Sequence, residues 1–256
     1  MNEQQSRVIA SELAQCVRKN RDCRSKITKE AYVPAFEAFE ADCASALDAF
    51  AQSEVSAQML GEQVLQALAA QWQTLGKQER TLAQEADRIV LALFLIPAIR
   101  RRETDRAESL AAALQEAWAS RFPQSRFQLV RFERIANGFQ KKLCKACYIT
   151  TAVCRQQGKP DDCAELTAFR RFRDGYLARQ PDGEALIAEY YETAPGILAC
   201  IDLCTDAPAR LDAIWNEHLA PCYEELLRED AQECERRYVR MVRALQQEYL
   251  GRGVTS

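Results

Sequence analysis

Glycine and proline are scarce in this chain, at nine and eight of 256 residues. That scarcity excludes a turn-rich β architecture, because tight turns draw on those two residues. Histidine is scarcer still, with His218 the single one. Any Cys–His catalytic couple must therefore use it. Long apolar runs are missing as well. The longest, Ile89 to Ile99, is interrupted by Pro97 and falls short of the ~20 residues that span a bilayer, so no transmembrane segment is expected and the run reads as a buried helix. The stretch Met1-Asn-Glu-Gln-Gln-Ser lacks the charged-then-apolar pattern of a leader, and the expected compartment is the cytoplasm. Neither sign of charge dominates: 34 Lys and Arg stand against 37 Asp and Glu, a net of −3. This excludes the strongly basic balance of a nucleic-acid binder. Walker, GxGxxG, HExxH, GxSxG and EF-hand patterns do not occur, which removes the best-marked enzyme classes.

Helix formers and cysteine are what the chain has. Apolar residues recur at three- and four-residue steps in Leu65, Leu68, Trp72 and Leu75, again in Leu110, Leu114, Ala117 and Trp118, and again in Tyr238, Met241, Val242, Leu245 and Tyr249, before Gly251. Such stripes belong to helices packing on partners. The expected fold is all-α, a bundle-like array of roughly ten helices joined by short loops. Residues 1–121 read as an N-terminal helical region and 122–142 as a connecting segment around Phe122-Pro123 and Asn137-Gly138. Residues 143–250 form a cysteine-rich helical region.

Eight of the eleven cysteines follow Lys142. In a reducing compartment they are expected as thiols or metal-bound thiolates. The segment from Leu143 to Ala178 reads as a helical hairpin. Gly158 suits the end of one helix, Pro160 the first position of the next, and Asp161 and Asp162 its polarised start. The turn should bring Cys154 and Cys163 together. Tyr148 to Val153 is rich in β-branched residues, which leaves a short strand open there.

Three readings of these thiols stay open. Cys144, Cys147, Cys154 and Cys163 supply four ligands for zinc or an iron–sulfur cluster, although Lys145-Ala146 gives no glycine knuckle. Cys154 and Cys163 form a redox pair if the helix start activates Cys163. Or the cysteines are small apolar fillers of tight helix crossings, in which case no cofactor is expected. A second set, Cys200, Cys204, His218 and Cys222, has four-residue spacings that suit a Cys3His zinc site, with Pro221 disturbing the geometry. Downstream of the turn, Leu166, Phe169 and Phe172 mark a buried stripe. Arg170 and Asp174 are spaced to pair along the helix, and Arg173 to reach Asp161, Asp162 or Glu189.

The sequence Cys147-Tyr148-Ile149-Thr150-Thr151-Ala152, followed by Phe169-Arg-Arg-Phe172-Arg173-Asp174, resembles the bacterial and archaeal CFI-box domain. The resemblance marks Cys147, Tyr148, Ile149, Thr151, Ala152, Phe172, Arg173 and Asp174, and extends loosely over Leu143 to Leu250. It implies no enzyme activity. A C-terminal sorting role suggested for some members fits poorly, since more than seventy residues follow Asp174 here. The expected function is a non-enzymatic intracellular interaction or adaptor protein, with protein partners and a structurally important cysteine module. The alternatives are a thiol-based redox or metal-binding protein and, third, an enzyme using Cys147 or Cys163 as nucleophile beside Arg173 and Asp174.

Overall fold

The computed structural model describes residues 2–140 and 147–251. The protein is all-α: 80% of it is helical, and no strand occurs among the described residues. The helices are α1 (Asn2–Lys19), α2 (Tyr32–Ala51), α3 (Ala57–Trp72), α4 (Lys77–Val90), α5 (Ile96–Arg100), α6 (Asp105–Arg121) and α7 (Phe132–Gln140). After residues 141–146 come α8 (Tyr148–Gln156), α9 (Ala164–Gly175), α10 (Gly183–Asp202), α11 (Ala207–Ile214), α12 (Ala220–Leu227) and α13 (Ala231–Leu250). Side-chain caps set several starts. Ser56, Thr104 and Asp230 accept from the backbone N–H of Met59, Ala107 and Glu233, satisfying donors that a helix leaves open at its first turn. Gly251, at φ 65°, closes α13 in the left-handed conformation.

The chain forms two compact units. The first comprises Met1–Lys26, Ala31–Asn137 and Leu203–Thr205. In it α3 packs on α1 and α6, and Gly61 lies so close to Ala113 that a Cβ would stand 2.9 Å from the Ala113 carbonyl carbon. The apolar run runs through α4, a π-helical turn at Leu91–Leu95 and α5, and is buried throughout. Pro97 has no N–H to offer the Leu93 carbonyl four residues back. The Tyr32 hydroxyl donates to that carbonyl instead, at 2.7 Å. A buried ion pair adds polarity to this core: Asp87, fully enclosed, accepts from Arg21 Nε at 2.6 Å, Arg21 Nη2 at 2.7 Å and Trp72 Nε1 at 2.8 Å. Leu203–Thr205 completes the unit. Its Leu203 carbonyl accepts from Gln128 N at 2.9 Å, and Cys204 forms an antiparallel bridge with Phe127. Of the segment 122–142 read from sequence as a connector, residues 122–137 are counted in this unit and bury Phe127, Val130 and Ile135.

The second unit comprises Ile27–Glu30, Gly138–Asp202 and Asp206–Ser256. Its residues from Tyr148 to Gln156 are helical, so the short strand left open by their β-branched content does not form. Ile149, Thr150, Thr151 and Val153 are all buried, and packing overrides a propensity difference of well under ~1 kcal/mol per residue. Gly158, at φ 70°, ends α8, and the Lys159 N–H returns to the Cys154 carbonyl at 2.9 Å. Pro160 does not open the next helix. It begins a turn closed by Cys163 N to Pro160 O at 3.1 Å, and α9 starts at Ala164.

Candidate functional site

Both halves of the paired motif meet in the second unit. On α9, Leu166, Phe169 and Phe172 face the core and carry Arg173 into it, leaving Arg173 only 7% exposed. Its Nε and Nη2 grip the two Asp174 oxygens at 2.7 and 3.0 Å, and its Nη1 donates to the Tyr191 hydroxyl at 2.7 Å. The same Nη1 lies 3.8 Å from Cys147 Sγ, just ahead of α8. Tyr148 packs edge-on against Tyr191, with ring centroids 5.7 Å apart. The neighbouring Tyr190 hydroxyl accepts the Ile149 N–H at 2.9 Å and pairs with the Tyr238 phenol. Tyr148 and Ile149 at the start of α8 and Arg173 on α9 are thus tied to a tyrosine pair on α10.

Electrostatics keep this cluster in its resting protonation states. Burial pushes the Cys147 thiol above its ordinary pKa, with Arg173 and Arg170 pulling the other way. Burial also opposes the Arg173 charge, but Asp174, Cys147 and Tyr191 outweigh it and the guanidinium stays charged. Tyr190 and Tyr238 are driven upward, chiefly by burial. Arg173→Lys keeps the charge but loses the planar fork that holds Asp174 and Tyr191 together. It is expected to cost the second unit about 1–3 kcal/mol, measurable as a lower urea midpoint with native helicity retained.

The pairs expected for Arg170 and Arg173 form differently. Arg170 donates to the Asp161 carbonyl at 2.6 Å rather than pairing with Asp174, because helix side chains lean toward the N-terminus. Arg173 takes Asp174 itself, Asp161 takes Arg155 at 2.7 Å, and Glu189 pairs with Arg243.

Across the turn, Cys154 is fully buried and Cys163 half-buried, and no disulfide joins them. The side chains interact: burial first, then Cys163, raises the Cys154 thiol to about 12. Lys159 and Glu165 close over the turn at 2.7 Å. Cys144, the fourth ligand of the first metal reading, lies outside the described residues. The second set is divided between the two units. Cys200 points to the Tyr249 carbonyl at 3.8 Å, whereas Cys204 belongs to the first unit, 3.8 Å from Arg88 Nη1. His218 is half-buried in the π-helical turn Trp215–Leu219. Cys222 instead meets Cys234, which lowers the Cys222 pKa by hydrogen bonding and is itself raised. Among the described residues no three His, Cys, Asp or Glu side chains are grouped to hold a metal. The Cys222–Cys234 contact was missed in the sequence, although the two residues lie at matching distances from Arg228 in the turn between α12 and α13.

Raised thiol and phenol pKa values have a pH consequence. Cys23 sits at about 11, and Cys43, Cys154 and Tyr249 at about 12. The folded protein therefore holds these protons after an unfolded chain, whose thiols titrate near 9.0, has released them. Stability is present in full below pH 9 and falls as pH rises toward 12. The expected result, under reductant, is a urea midpoint that is flat from pH 7 to 8 and drops steadily above 9.

Beside the clamp, α9, α10 and α13 enclose an apolar cleft with Cys147 in its wall and Phe169, Phe172, Tyr190 and Tyr238 around it. Its free space is about 580 Å³ counted to the surrounding atoms and its mouth, and about 40 Å³ for the centre of a water-sized sphere. No helix among the described residues is long and apolar enough to cross a membrane. No protein-family model, curated protein or solved structure matches the chain.

Proposed function

We propose that this chain is a non-enzymatic intracellular interaction protein, an adaptor whose C-terminal unit is organised by the Cys147–Arg173 clamp. One observation carries the reading: all three Arg173 nitrogens are engaged by Asp174, Tyr191 and Cys147, beside a thiol that burial keeps protonated. Groups that satisfy one another in this way hold a shape and leave no nucleophile or open cation for catalysis. The resemblance to the CFI-box domain agrees, since three of its marked residues, Cys147, Arg173 and Asp174, belong to this clamp. The test is reconstitution with a purified partner, first identified by crosslinking in the native cell. A complex of fixed stoichiometry should survive Cys147→Ser in folded protein. A substrate turned over by the wild type and not by Cys147→Ser would defeat the proposal.

A second reading rests on Cys154 and Cys163. A half-buried thiol over a fully buried partner suits a peroxide-sensing pair. In that step two thiols and one hydrogen peroxide give a disulfide and two waters, the peroxide being reduced. Mild peroxide should remove two thiols rapidly, and Cys163→Ser should block the loss. Equal loss in the variant would assign the oxidation elsewhere.

A further inference from the structure

We propose that the cleft enclosed by α9, α10 and α13 is a binding site for a small, neutral, single-ring aromatic molecule. This goes beyond the adaptor reading and does not depend on it. Size is the first argument. A cavity of about 40 Å³ reckoned to the centre of a water molecule has the room of a sphere roughly 7 Å across once the radius of water is added back. That width admits one aromatic ring and excludes most larger ligands.

The lining supplies the second argument. Phe169, Phe172, Tyr190 and Tyr238 contribute ring faces and edges, with Tyr238 centred 5.9 Å from Phe169 and 6.1 Å from Tyr190. Offset and edge-on ring contacts favour an aromatic guest over an aliphatic one of equal volume. Charge is the third. Both arginines in the wall are already matched, Arg173 by Asp174, and Arg243 by Glu189 and Gln246. A charged ligand would lose its hydration without gaining an unmatched partner. The cleft also adjoins an open depression beside Asp230 and Glu233, Leu186 and Val239 lining both.

The test is calorimetric titration of the whole chain under reductant with phenol, and with benzoate as the charged analogue. Phenol should bind one-to-one with a dissociation constant below about 1 mM. Benzoate should bind at least about tenfold more weakly. Val242→Phe, which fills the cleft from α13, should weaken phenol binding at least about tenfold with helicity unchanged; Ile187→Phe from α10 replaces it if that variant does not fold. Absence of saturable phenol binding, equal or tighter binding of benzoate, or unchanged binding in a folded filling variant would overturn the proposal. The wild-type arms alone decide it if neither variant folds.

Discussion

Gly196→Ala is expected to destabilise the second unit by more than about 3 kcal/mol, enough to leave it unfolded in a marginally stable protein. The carbonyl oxygen of Ile27 occupies the place where a Cβ at position 196 would stand, with the Ile27 carbonyl carbon 2.9 Å away. The obstacle is backbone and cannot swing aside as a side chain would. The Ile27–Glu30 segment is also pinned: Lys29 N donates to the Glu192 carbonyl at 3.0 Å, and Glu30 N to the Glu192 carboxylate at 3.0 Å. Relief of the clash would strip those bonds from α10. Gly138→Ala is the control, because nothing lies within 4 Å of a Cβ there; in mid-helix it should be neutral or stabilising by up to ~1 kcal/mol. Urea unfolding followed by circular dichroism and by the accessibility of buried Cys200 separates the two. Similar midpoints would contradict the steric argument.

Asp87→Ala is the second large effect, expected to cost the first unit about 3–5 kcal/mol. Removing this carboxylate leaves the Arg21 guanidinium with Gln71 as its remaining partner and orphans the Trp72 indole N–H in a closed core. Asp87→Asn should cost less, since an amide oxygen still accepts one of these bonds while the charge pairing is lost. Tryptophan fluorescence reads the change directly. Trp72 sits edge-on to Trp118 at 6.0 Å, so two of the three tryptophans report on the same core. An Asp87→Ala variant with a wild-type midpoint would show that the pair stabilises nothing.

The all-α class was legible because three- and four-residue stripes recur along most of the chain, and Leu65, Leu68, Trp72, Leu110, Leu114 and Trp118 all prove buried. The end of α8 was legible too, because Gly158 performs locally what its sequence context demands. The clamp was legible only in part. Cys147, Arg173 and Asp174 announce themselves as a motif, but their common partner Tyr191 lies on another helix, in an unremarkable Glu-Tyr-Tyr-Glu run. Arg173 was assigned the wrong acidic partners because spacing constrains which residues share a helix face, not which rotamer a guanidinium adopts. Tertiary packing also decided Tyr148–Gln156, where side chains that individually prefer strands fill a helical core. Nothing local marks Ile27–Glu30 or Leu203–Thr205 as belonging to a different unit from their sequence neighbours.

Those two short segments bear on how the chain is made. Translation runs from the amino end, and domains ordinarily close as soon as their residues leave the ribosome. Here the first unit cannot obtain its Leu203 and Cys204 contacts until most of the polypeptide has been synthesised, whereas Ile27–Glu30 emerges early and must wait for Glu192 and Gly196. Co-translational closure of either unit is therefore incomplete until α10 has been delivered, and a single break near Asn137 yields two fragments that each lack a piece carried by the other.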